Sequence, residues 1–140
     1  MYSLVVQRII RSSFASLSRG DWQPVVARFA DDAQFRFPGR NMLAGEYRDK
    51  EQIEDWFRRT FGGPLKIELE VHDVTVRGGP WNTRVCTRFT AHVRCPDGTV
   101  FHNDGMQFAR LSWGKVTTDF LYEDTQMVAE YEQHLEPAAT

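Results

Sequence analysis

The sequence predicts an α+β fold in which helices come first and an antiparallel meander of strands follows. Three observations carry this. Up to residue 64 the apolar residues recur mainly at helical spacing, from Leu65 onward their period is two, and Gly, Pro and Asp clusters interrupt the second part where tight turns belong.

Val6, Ile10, Phe14 and Leu17 share one helical face, and Gly20 ends that segment. Asp21 is then the expected N-cap of a short helix whose Trp22, Val25, Val26 and Phe29 lie together. Ala33 to Phe37 alternates and stops at Pro38-Gly39, which predicts a short strand. After a loop, Asp49 followed three residues later by Gln52 predicts a capped helix start. That helix carries Ile53, Trp56, Phe57 and Thr60 on one face and ends at Gly62-Gly63-Pro64.

Four strands are expected next, at about 65–77, 82–95, 99–111 and 115–123. Gly78-Gly79-Pro80, Pro96-Asp97-Gly98 and Ser112-Trp113-Gly114 separate them. A last short helix is expected between Asp124 and Leu135, with Met127, Val128 and Tyr131 turned inward.

A chain of 140 residues suits a single domain, here 1–140. Its formal net charge of −2 and scattered basic residues argue against nucleic acid as a partner. No apolar run reaches membrane-spanning length and no signal-peptide pattern opens the chain, so the expectation is a cytoplasmic protein with no membrane partner. Cys86 and Cys95 lie nine steps apart on one expected strand, roughly 30 Å and on opposite faces, which predicts free thiols.

Register follows from the turns. Pairing Cys95 with Thr99, and Leu111 with Lys115, puts odd-numbered residues of three strands on one face. Val85, Phe89, Ala91 and Val93 make that face apolar, so it should meet the helices. It also carries Phe101, Asn103, Gly105, Gln107, Ala109, Asp119, Leu121 and Glu123, which is too polar for a dry core. In this register Gln107 faces Asp119. The two form either a self-satisfied pair or part of a ligand site. On the even face His92 falls opposite His102, with Asp104 nearby, but no third ligand at convincing spacing completes a metal site. Met106, Phe108, Phe120 and Tyr122 form an apolar patch there, which predicts a homodimer through the sheet. Phosphate-cradling loops, zinc-protease helices and nucleophile elbows are missing, and no cofactor is expected.

The order of several short motifs resembles the SnoaL-like branch of the nuclear transport factor 2 superfamily. They are Phe14 with Arg19-Gly20-Asp21-Trp22, Phe35-Arg36-Phe37-Pro38-Gly39, and Leu43-Ala44-Gly45-Glu46-Tyr47-Arg48. Asp97-Gly98, Asn103-Asp104-Gly105, Trp113-Gly114-Lys115-Val116 and Tyr122-Glu123-Asp124-Thr125 extend the match over nearly the whole chain. The resemblance implies a cone, a strongly curved, mostly antiparallel sheet closed by N-terminal helices around a pocket, and frequent dimers. It implies no single activity, because that superfamily holds isomerases, epoxide hydrolases, cyclases, dehydratases and non-enzymes.

The sequence departs from two catalytic patterns of the superfamily. Where epoxide-hydrolase-like members carry an Arg and two Asp, this chain has Phe89, Ala91 and Leu121. Where ketosteroid-isomerase-like members carry a Tyr and two acids, it has the Phe14 region, the Phe35/Phe37 strand and Gln107. Polyketide-cyclase-like members act through one aspartate, and Asp119 is the acid of that kind. The reading is therefore a binder of a small apolar or carbonyl-bearing ligand, or a cofactor-independent isomerase or cyclase. Asp119 is its acid/base, Gln107 and Asn103 orient an oxygen, and Phe35, Phe37, Phe89, Phe101 and Leu121 form the apolar wall. Tyr47 and His72 are lesser candidates. The alternative is a non-catalytic binding or dimerisation module.

Overall fold

The computed structural model describes residues 1–137. Its elements run α1 (Tyr2–Ser18), α2 (Gln23–Ala27), β1 (Phe29–Phe37), β2 (Gly45–Tyr47), α3 (Lys50–Phe61), β3 (Lys66–Arg77), β4 (Thr83–Arg94), β5 (Val100–Ser112), β6 (Lys115–Glu123) and α4 (Thr125–Tyr131), with a final 3-10 turn at Glu132–His134. The strands form one curved, unclosed six-stranded sheet in the order β2-β1-β6-β5-β4-β3. All neighbours are antiparallel except β1 and β6.

The predicted strands agree with β3 to β6 to within a residue at each end, because long alternation over a half-buried sheet is an unambiguous signal. Odd-numbered residues of β4 face the helices: Val85, Phe89 and Val93 are each at most 2% exposed. Helix α1 lies along β3, α3 packs on β1, and α2 bridges the two helices. Asp49 caps α3 by accepting from the Gln52 backbone N–H at 2.8 Å, and the Gln52 side chain accepts from Arg48 N in return.

Three sequence expectations change. Asp21 does not cap α2; Trp22 holds that position without a side-chain hydrogen bond, and the Asp21 carbonyl instead accepts from Ser16 Oγ at 2.6 Å. Phe29 begins β1 rather than closing α2, which gives β1 the length to pair in parallel with β6. The segment read as a loop contains β2, whose three residues are too few to show a period.

The β5–β6 hairpin also turns more tightly than expected. Ser112 pairs with Lys115 around a two-residue turn in which both Trp113 (φ 51°) and Gly114 (φ 82°) have positive φ. A bulky residue adopts that conformation only when held there, and the Trp113 N–H donates to Pro80 O at 2.7 Å from the β3–β4 connection. A bulge between Arg110 and Leu111 then restores the odd-numbered face. With a second bulge between Val71 and Asp73, it helps the sheet curl around its helical side.

Candidate active site

The register beyond the bulge sets Gln107 level with Leu121, and Asp119 level with Ala109. Gln107 and Asp119 are thus diagonal neighbours rather than facing partners, a correction of two residues that the tight turn and the bulge cause. They still meet: Gln107 Nε2 donates to Asp119 Oδ1 at 2.9 Å. Asp119 is 5% exposed.

Beneath the helices, on this face, lies a cavity of about 70 Å³. Asp119, Gln107, Phe89 and Leu121 are all on its wall. Phe14, Leu17, Trp56 and Phe57 contribute from the helices, so the wall is mostly apolar. Burial pushes the Asp119 carboxyl up to about 7, and the Gln107 hydrogen bond opposes that rise in part.

Four residues expected at the ligand lie elsewhere. Phe35 neighbours Asp119 in the sheet, yet its ring packs on Trp56 at 4.4 Å and on Phe57 at 5.5 Å, outside the cavity wall. Phe37 stacks behind it against Trp56. Phe101 is covered by Tyr131 and His134. Asn103 is fully buried, but its amide is occupied: Oδ1 accepts from Asp124 N at 3.0 Å, and Nδ2 donates to Asp124 O and to the Tyr131 hydroxyl. Asn103 therefore locks the β6–α4 junction. One N–H of Gln107 Nε2 is committed to Asp119, and among the described residues its Oε1, an acceptor, has no partner.

Sequence reasoning missed four polar wall residues, one of them Ser13 on α1, whose hydroxyl donates to Ile9 O at 3.0 Å. Thr60 on α3 is 3% exposed and, among the described residues, its hydroxyl has no partner. Glu123 at the end of β6 lines the cavity, and burial raises its carboxyl to about 7. Tyr131 on α4 completes that end. The inward parity of Glu123 is legible in the alternation of β6; that it reaches a cavity depends on how far the sheet curls.

On the opposite face, His92 and His102 meet at 2.7 Å between their Nδ1 atoms, and His92 Nε2 contacts Glu70 Oε1 at 2.9 Å. Among the described residues no group of three or more His, Cys, Asp or Glu side chains is placed to hold a metal ion. His72 lies on this face beside Thr90, while Tyr47 packs against Phe35 and donates to Ala44 O; neither lines the cavity. Among the described residues no helix is long and apolar enough to cross a membrane.

Known proteins of the same shape place this architecture. A nuclear transport factor 2-like protein of unknown function from Burkholderia pseudomallei superposes with a TM-score of 0.76 at 18% identity, covering 89% of this chain and 95% of the other. A putative polyketide cyclase from Xanthomonas campestris gives 0.69 at 17% identity over 93% and 96% of the two chains. Rv0760c from Mycobacterium tuberculosis, in complex with estradiol-17β-hemisuccinate, gives 0.71 at 17% identity over 84% and 92%. No curated protein matches the chain in sequence. The sequence profile of the SnoaL-like domain matches residues 10–118, most of the chain, and the protein belongs to the SnoaL-like domain family.

Proposed function

We propose that the protein binds a small, largely apolar, carbonyl-bearing molecule in this cavity and acts on it as a cofactor-independent isomerase or cyclase, with Asp119 as general acid/base. One observation carries the reading: the Asp119 carboxyl, poised near 7, stands on a mostly apolar wall and, among the described residues, is hydrogen-bonded on one oxygen only. A carboxyl poised near neutrality can both take and return a proton at working pH. In both reaction classes Asp119 would remove a proton from the carbon next to a carbonyl, leaving an enolate, and return it elsewhere. Oxygen stabilisation falls to the hydroxyl of Thr60 and the second N–H of the Gln107 amide, since both N–H groups of Asn103 are engaged. The putative polyketide cyclase and the estradiol-hemisuccinate complex among the proteins of similar shape are consistent with such a ligand.

In this reading Phe89 and Leu121, both on the cavity wall, are the apolar ligand contacts. Dimerisation through the outer face is part of the same proposal. Met106 pairs with Tyr122 and Phe108 with Phe120 across β5 and β6, and Met106 and Tyr122 are each 44% exposed.

A second reading, a binding module without turnover, is favoured by the Gln107 bond, which can hold Asp119 as a fixed anchor. The two are separated by hydrogen exchange on 2-tetralone in deuterium oxide, followed by proton NMR. The enzyme exchanges the protons next to the carbonyl faster than buffer does, and Asp119→Asn loses that acceleration. Binding of 2-tetralone without acceleration would favour the module.

A further inference from the structure

We propose that Glu123 and the Tyr131 hydroxyl form a second polar anchor in the cavity, so that its ligand is an elongated, uncharged, apolar molecule with a hydroxyl or carbonyl group at each end. This rests on the reading of Asp119 as the group that meets the first end.

Asp119 and Glu123 are four residues apart on one strand, which puts them on the same face and roughly 13 Å apart along β6. Both line the cavity. Glu123 is level with Gly105 on β5, and the absence of a side chain there is what admits it: a Cβ on Gly105 would stand 2.8 Å from Glu123 Cγ and 2.7 Å from Phe89 Cζ. Residue 105 is thus cleared for the Glu123 chain and the Phe89 ring together.

Tyr131 is positioned just as firmly. Its oxygen accepts from Asn103 Nδ2 at 3.2 Å, and Asn103 is itself fixed by the Asp124 backbone. That bond uses a lone pair and leaves the phenolic proton to be donated. Ionisation of the phenol is opposed first by burial and further by the Glu123 charge, so it keeps its proton. Among the described residues the Glu123 carboxyl makes no ion pair with a basic side chain, and no Lys, Arg or His lies on the cavity wall. An anionic ligand group would therefore meet two carboxyls and no cation. A hydroxyl or carbonyl can exchange hydrogen bonds with a carboxyl and a phenol, and can meet the Asp119 end in the same way.

Calorimetric titration with two probes tests this: 4-hydroxybiphenyl, polar at one end, and 4,4′-dihydroxybiphenyl, polar at both. Wild type should bind the dihydroxy probe about tenfold more tightly, the worth of one well-made buried hydrogen bond. Glu123→Leu should abolish that preference, so that the two probes bind within about twofold of each other. Should Glu123→Leu misfold, Glu123→Met gives the same test with an unbranched side chain. A preference missing from wild type, or one that survives both substitutions, overturns the second anchor. If 4-hydroxybiphenyl binds and is weakened by Asp119→Asn while the preference is missing, Asp119 keeps its role and Glu123 loses its own. If neither probe binds wild type, both readings fall.

Discussion

Gln107 Nε2 reaches Asp119 Oδ1 at 2.9 Å across a diagonal of the sheet, from the residue beside Leu121 to the residue beside Ala109. A diagonal contact needs a long side chain on one partner, since directly opposed residues are closer than diagonal ones. Gln107 supplies that length, and its single N–H bond does not offset the cost of burying the carboxylate, because Asp119 remains raised to about 7.

An unfolded aspartate ionises near 3.9, whereas the folded protein keeps the proton on Asp119 up to about 7. Between those values the native state binds more protons, so stability falls as pH rises, by up to about 1.4 kcal/mol per pH unit for this group, and levels off above 7. Asp119→Asn should remove that component. Urea unfolding at pH 5, 6, 7 and 8 should show a shallower decline for the variant than for wild type. Glu123 leaves a similar residual slope in both.

Asn103→Ala should cost about 2–4 kcal/mol, since it strips hydrogen bonds from Asp124 N, Asp124 O and the Tyr131 oxygen in a fully buried place. Chemical denaturation measures this. A loss below about 1 kcal/mol would mean the β6–α4 junction holds without it.

Gly105→Ala should destabilise by about 1–3 kcal/mol through overpacking, because the new methyl meets Phe89 Cζ, Glu123 Cγ and, at 3.0 Å, the Tyr122 carbonyl, which as backbone cannot swing away. Paired with Glu123→Ala, which removes one of the three clashes, the cost should shrink in a double-mutant cycle.

The two cysteines should differ in reactivity. Cys86 is exposed on the outer face, whereas Cys95 is buried and its thiol is pushed up by burial and further by Asp97. Ellman titration of the native protein should give one fast thiol and one slow, and two fast ones in denaturant.

Phe120→Asp places a charge in the middle of the outer apolar patch, beside Phe108. Sedimentation velocity should find wild type dimeric at micromolar concentration and the variant shifted to monomer. A monomeric wild type would remove the proposed interface.

Much of this architecture is legible in the sequence. The two-residue alternation of β4 assigns Val85, Phe89 and Val93 to the core, and the same parity carries inward along β5 and β6 to Gln107, Asp119 and Glu123. Parity survives the hairpin error because the tight turn and the bulge together shift the pairing by two. What parity cannot give is depth. Phe101 and Asn103 share the inward face with Gln107, but α4 folds back over them, and their environment is decided by Tyr131, a residue almost thirty positions away. Phe35 and Phe37 are likewise covered by Trp56. Where the cavity lies depends on helix docking and sheet curvature, which no local pattern encodes.

Carbon-13 NMR of aspartate-labelled protein, with the Asp119 resonance assigned by its loss in Asp119→Asn, measures the poise of Asp119 directly. The side-chain carboxyl signal should titrate with a midpoint near 7, and it should move when 2-tetralone is added. A midpoint at or below about 4, the range of an ordinary aspartate, would make Asp119 a fixed anion held by Gln107 and would contradict its role as acid and base.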